Sequence, residues 1–340
     1  MSMQRWMAVA GVAAVLAGGG EAAAQRSEST HIVNDHDGNR FEMRISGDVE
    51  IRDDDRGIAR MGPGARLSIE EARRGQPERR VEFRGGLDGR VRTLYFEEGE
   101  SAAMDAGDRA WAERAIQEAV RENGLGAERR VERIRRREGV DGVLREIERI
   151  GGDGGKRRYY RVLMASPGLR AEETARTLRH LGRHIRSDGE KRAALASLLD
   201  RPSLGAGELA AMLDAAATID SDGELASLLT RMAREESLAD GRVRQAFFRA
   251  AESIESDGEM ARVLLAALRR AEARDDVVRA AVLASNEIES DGERARVLIA
   301  VPDRSLRSSA IRAAVRDALD GMRSDGERQR VERRLARVES

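Results

Sequence analysis

Between residues 41 and 96 apolar side chains fall at every second position, and beyond residue 108 they recur at every third or fourth. In the first stretch Phe41, Met43 and Ile45 alternate with Glu42, Arg44 and Ser46. Val49 and Ile51, then Ala65, Leu67 and Ile69, then Val81 and Phe83, and finally Leu94 and Phe96 continue the pattern. Period two puts successive side chains on opposite faces of a strand, so these runs predict half-buried antiparallel strands. Turn-forming residues stand between them: Gly47-Asp48, Asp54-Asp55-Arg56-Gly57, Gly62-Pro63-Gly64, Arg74-Gly75-Gln76-Pro77 and Asp88-Gly89. A meander of about six strands is expected, its apolar face covered by the helix that follows.

At residue 108 the period changes. Asp108 can cap a helix carrying Trp111, Ala115, Ile116 and Val120, which Asn123-Gly124 ends. Trp111 reads as a core residue joining domains. Val131 and Ile134 suit a second, Arg-rich helix; Val143, Leu144, Ile147 and Ile150 suit a third.

One phrase then repeats. Ser-Asp-Gly-Glu stands at Ser187–Glu190, Ser221–Glu224, Ser256–Glu259, Ser290–Glu293 and Ser324–Glu327, after a degraded copy, Gly152-Asp153-Gly154-Gly155. The aspartates, Asp153, Asp188, Asp222, Asp257, Asp291 and Asp325, are 35, 34, 35, 34 and 34 residues apart. Such regularity is the mark of a repeat array. Ser-x-x-Glu is also a capping box: the Ser hydroxyl accepts from the N3 amide, while the N3 Glu accepts from the cap's own N–H. The Asp between them gains from the positive end of the helix dipole. The Ser and Glu residues of all five copies are therefore expected to be structural caps.

Behind each cap runs an apolar stripe: Tyr159/Tyr160, Ala194/Leu195, Leu228/Leu229, Val263/Leu264 and Val297/Leu298. Pro167 and Pro202 close the first helix of their units. A return helix carries Leu178, Met212, Phe247, Ala281 or Val315 and ends at Ile185, Ile219, Ile254, Ile288 or Met322. No such unit can bury its face alone, so the expected fold is mostly α. It is an α-solenoid of helix-turn-helix repeats with period 34–35, HEAT/TPR-like, after a small antiparallel β-meander. In the last copy Val331/Glu332 and Arg333-Arg334 take the apolar places, as a capping repeat would. The divisions read as 1–24, a signal peptide; 25–104, the β-region; 105–150, a helical connector or leading repeat; and 151–340, the array.

The leader adds an address. Arg5, the apolar run Trp6–Ala17 and the small residues Ala22-Ala23-Ala24 predict a secretory signal cleaved after Ala24, hence a periplasmic or secreted protein with no remaining membrane span. An uncleaved anchor is the competing reading. The chain has no Cys, which excludes disulfides, thiol catalysis and lipoprotein attachment. A net charge of −1 gives no long-range field for nucleic acid. Aromatics are only 3% of residues, so the core must be aliphatic, which suits helices.

Candidate chemistry is sparse. Asp35, Asp37 and Asn39 begin like a calcium loop, but Arg40 stands where Gly is required and Ser46 where Glu is required. Asp53-Asp54-Asp55 reads as a solvated turn. Asp220-Ser221-Asp222-Gly223 resembles a cation loop that the other copies do not keep; its fixed Gly suggests close approach between units. His180 and His184, at i and i+4, share a helix face and can begin a zinc site. Leu181 stands where a metalloprotease Glu would, and no third ligand is evident nearby, so no metal or other cofactor is expected. There is no P-loop, G-x-S-x-G or dinucleotide fingerprint.

Ile185-Arg186-Ser187-Asp188-Gly189-Glu190-Lys191-Arg192 and Ile150-Gly151-Gly152-Asp153-Gly154-Gly155-Lys156-Arg157 carry a resemblance. The chain resembles bacterial envelope proteins with a signal peptide, a small β-region and repeats of the type I-x-S-D-[YFG]-E-[KR]. Similar repeats accompany BlaR-like regulatory metallopeptidases. The resemblance implies the architecture; with no H-E-x-x-H here, it implies no peptidase activity. The expected function is a non-enzymatic scaffold binding a protein or peptide partner, with acidic partners favoured by Arg-rich faces such as Arg135-Arg136-Arg137. The alternatives are a sensor or regulatory ectodomain in an envelope-stress or antibiotic-response system, and a zinc hydrolase at His180 and His184.

Overall fold

The two periodicities fold into two kinds of structure, seen in a computed structural model that describes residues 29–36, 38–201, 204–236, 238–269 and 274–339. The leader expected over 1–24, together with Asp37 and Pro202, lies outside the described residues. The described chain is mostly helical, with fourteen α-helices and eight strands. It divides into two compact units, Met1–Arg130 with Arg149–Lys156, and Val131–Glu148 with Arg157–Ser340.

The first unit holds the strands: β1 (Ser29–His36), β2 (Asn39–Ser46), β3 (Val49–Ile51), β4 (Ile58–Met61), β5 (Arg66–Ala72), β6 (Arg79–Gly85), β7 (Val91–Glu97) and β8 (Glu100–Ala102). Six form one antiparallel sheet in the order β1-β2-β5-β6-β7-β8, while β3 and β4 make a separate hairpin between β2 and β5. Eight strands thus stand where about six were expected: the Val49–Ile51 run is β3, and β1, β4 and β8 are strands that the alternation did not mark. Register aligns Met43, Ile69, Val81 and Tyr95 in one row across the sheet. All four are buried, and so are Leu67 and Phe83 in the neighbouring row. Helix α1 (Ala106–Asn123) covers this face with Trp111, Ala115, Ile116, Ala119 and Val120. Each large side chain buried here contributes about 1.5–3 kcal/mol.

Three local expectations are corrected. In β7 the inward residue is Tyr95, not Leu94 or Phe96, because pairing opposite Val81 sets the face. Phe96 lies outside, its ring covered by the Arg80 guanidinium 4.2 Å from the centroid. Helix α1 starts one turn earlier than expected: Asp105 is the cap, and Asp108 closes a capping box at N3. Asp55 is no solvated side chain. Its positive φ of 59° turns it inward, where it is buried and ion-paired with Arg130. Trp111 joins helix to sheet within this unit: Nε1 donates to Glu71 Oε2 at 2.6 Å, and its ring meets Tyr95 edge-on.

After α1, which Gly124 ends in the left-handed conformation, α2 (Ala127–Glu148) is broken at Gly139 (φ 70°), matching the two helices expected there. The array follows as α3 (Asp153–Ala165), α4 (Ala171–His184), α5 (Asp188–Ala196), α6 (Ala206–Ala216), α7 (Asp222–Glu235), α8 (Gly241–Glu252), α9 (Asp257–Arg269), α10 (Asp275–Ala284), α11 (Asp291–Ile299), α12 (Asp303–Leu306), α13 (Ser309–Asp320) and α14 (Asp325–Glu339). In the second unit α5, α7, α9, α11 and α14 pack in sequence as one row, and α4, α6, α8, α10 and α13 as another. Between the rows lie the stripe residues read from the sequence: Tyr159/Tyr160, Leu228/Leu229 and Val263/Leu264 from the first helices, and Leu178, Met212, Phe247 and Val315 from the return helices, all buried. Pro167 follows the end of α3.

Tyr95 offers a test of how the first unit is closed. Burial, and then the hydrogen bond its hydroxyl donates to Asp108 at 2.9 Å, push its phenol up to about 12. A raised pKa means that this contribution to stability is complete below the ordinary value of about 10 and is lost as pH rises through 12. Ultraviolet difference titration should lose one late-titrating tyrosine in Tyr95→Phe. Titration of every tyrosine near the ordinary value would refute the closed Tyr95–Asp108 contact.

Candidate functional site

The repeated phrase keeps part of the capping job its spacing suggested and adds another. The Ser hydroxyl does accept from the N3 amide at Ser187, Ser290 and Ser324, each at 3.4 Å. Ser221 makes no side-chain cap bond. The reciprocal half of the box is replaced. Ser221 N–H donates to Asp188 at 2.9 Å, Ser256 to Asp222 at 2.7 Å, Ser290 to Asp257 at 2.8 Å and Ser324 to Asp291 at 2.7 Å. Each Asp therefore reaches the cap of the next copy. Three take a second amide there, from Glu255, Glu289 and Arg323 respectively for Asp222, Asp257 and Asp291.

The Glu that would have closed the box pairs with Arg instead. Glu190 and Glu224 take Arg157 and Arg192 from the preceding copy, and Glu259, Glu293 and Glu327 take Arg262, Arg296 and Arg330 from their own helices.

The degraded copy obeys the same rule with another acceptor. Glu122 accepts from Gly151 and Gly152, and a Cβ on Gly152 or Gly155 would fall 2.8 or 2.3 Å from the Glu122 carbonyl oxygen. Glycine is required there by close approach. In the later copies the expected close approach is absent: a Cβ on Gly223 or Gly258 meets nothing within 4 Å. Nothing in the structure explains those glycines.

His180 and His184 are brought together with a third residue that sequence reasoning missed, Glu148 at the end of α2. His180 Nε2 is 3.0 Å from Glu148 Oε1, and its Nδ1 is 2.6 Å from the hydroxyl of buried Tyr160. The two imidazoles stack, 4.0 Å between centroids and 16° from parallel. One donor atom from each of Glu148, His180 and His184 lies within 4.8 Å of the others. The hydrogen bond from His180, then the nearby imidazoles and Arg145, hold Glu148 below the usual carboxylate range. No local pattern marks Glu148, because it lies 32 residues from its partner.

A groove of about 350 Å³ lies along the first-helix row, lined by Arg234, Arg262, Arg269 and Arg296 over buried Leu265 and Ala266. The four arginines are exposed at its rim. Aligning the copies on their Asp exposes the signal: Arg262 and Arg296 stand five residues after it, Arg234 and Arg269 twelve. The Arg135-Arg136-Arg137 run, by contrast, is partly neutralised within its own helix, Arg136 by Glu132 and Arg137 by Glu138.

These features define a mostly helical protein of repeated helix pairs. No family model matches the chain, and neither a curated protein nor a solved structure shows a significant match. Among the described residues, no helix is long and apolar enough to cross a membrane.

The inter-copy role of the Asp can be separated from its helix-dipole role. Asp257→Ala removes both, whereas Asp325→Ala, at a side chain that is 88% exposed, removes the dipole term and a loose, exposed ion pair with Arg328 at 4.0 Å but no inter-copy bond. Urea unfolding should show a loss of ~1–2 kcal/mol for the first and under about 0.5 kcal/mol for the second. Equal losses would reduce the Asp to a dipole effect.

Proposed function

We propose that this protein is a non-enzymatic scaffold whose helix pairs stack as an α-solenoid and hold an acidic protein or peptide segment on the α7–α9–α11 surface. The observation that carries the reading is the groove: four guanidinium groups ring an apolar floor of Leu265 and Ala266. An extended segment can lay one apolar side chain on that floor and aim flanking carboxylates at the rim, where guanidinium forks favour planar carboxylates. Arg262 and Arg296 already pair with Glu259 and Glu293 on their own helices, so a bound carboxylate would share those two guanidinium groups with them. The stack matters because three successive helices must be held in register to present one groove. The leader pattern around Arg5 and Trp6–Ala17 favours an exported, periplasmic or secreted setting.

Fluorescence anisotropy with a labelled peptide, two glutamates flanking a leucine, tests this reading. The peptide should bind, should bind less at high salt, and should lose about tenfold or more affinity, roughly 1.4 kcal/mol, in the Arg262→Glu/Arg296→Glu double variant. No binding, or equal binding of a peptide with arginines in place of the glutamates, would rule the groove out.

A further inference from the structure

We infer that Glu148, His180 and His184 form a binding site for one divalent transition-metal ion of the zinc class, independent of the arginine groove. Two imidazole nitrogens and a carboxylate oxygen are the donors zinc takes, and imidazole ligation disfavours calcium and magnesium. The donors come from two helices. His180 and His184 are one turn apart on α4, which puts both rings on one face, and the last residue of α2 supplies the carboxylate. Metal–ligand bonds of about 2.0–2.2 Å place tetrahedral ligands roughly 3.3–3.5 Å apart. His180 Nε2 and Glu148 Oε1, at 3.0 Å, are already near that spacing. The full set lies within 4.8 Å and closes by rotation of the Glu148 side chain, which is 49% exposed, and of His184.

The surroundings match what a ligating histidine needs. The free nitrogen of a metal-bound imidazole is held by an outer hydrogen bond that fixes the ring. At His180 that partner is the Tyr160 hydroxyl, 2.6 Å from Nδ1 and carried by a fully buried side chain. On metal binding the His180 proton that faces Glu148 from Nε2 moves to Nδ1, so that Nε2 is given to the ion and Nδ1 donates to the Tyr160 oxygen. The exposed carboxylate leaves an entry path, and the fourth position is open to water. A His180–Glu148 pair alone would need neither the second imidazole nor its parallel placement. The ion would tie the end of α2 to α4.

The test uses the full chain without a histidine tag, stripped by chelator and titrated calorimetrically with zinc chloride, with magnesium chloride as control. One zinc and no magnesium should bind per chain, and thermal unfolding should shift upward with zinc. The variants Glu148→Gln and His184→Ala, each checked for native circular dichroism, should weaken zinc at least tenfold and lose the shift. The other two histidines of the chain, His31 and His36, control for adventitious binding: the double alanine variant should bind zinc as the parent does. No stoichiometric zinc, or zinc that survives both site variants or is lost with His31 and His36, would overturn the assignment.

Discussion

A carboxylate that reaches across to the next cap is the contact on which the helical part of this chain depends. Asp188, Asp222, Asp257 and Asp291 each accept an amide of the following Ser, and three of them accept a second amide beside it. A helix N-terminus leaves its first N–H groups without partners. The usual remedy is local, within one helix. Here the remedy is shared, so satisfying one helix start also sets its distance and direction from the previous one. Charge-assisted bonds of this kind are stronger and more directional than neutral ones. The apolar stripes supply most of the energy of association, but apolar contact is indifferent to small slides. The Asp contacts are what oppose a slide.

That division of labour leaves the residues between caps free to vary, and the two places with chemical potential both use them. The groove falls where adjacent copies carry Arg at the two positions five and twelve residues after the Asp; at these positions the intervening copies also hold Ala193, Ser227, Asp200 and Asp303, while Arg158, Arg330 and Arg337 stand there in the first and last copies. The imidazole pair stands near the end of the first return helix, where no other copy has a histidine. Asp200 and Asp303 show the same positions put to structural use, each holding an Arg of the following copy, Arg231 and Arg334. Arg334, expected as part of a solvated end face, is one of these struts and also donates to the Val301 carbonyl.

Much of the helical half was legible because its signals are local and periodic. The stripes, the return-helix positions and the terminal Ile or Met residues all fell into the core as read. The errors share one cause. Leu94, Tyr95 and Phe96 are three apolar residues in a row, and alternation cannot say which faces inward until Val81 is opposite. Asp55 looked like a loop charge until Arg130 was beside it. Glu148 carried no signal at all.

Sequence alone determined the period, the element types and the buried faces of the helical half, because each depends on the preferences of residues a few positions apart. Tertiary structure alone decided what the polar residues do. The Asp of the repeated phrase is compatible by itself with a dipole effect, a metal loop or a clamp, and its partner amides lie 32 to 34 residues on. The same holds for Glu148 beside His180. A hydrophobic side chain needs only an interior, whereas a charged one is defined by its partner, and partners are chosen in three dimensions.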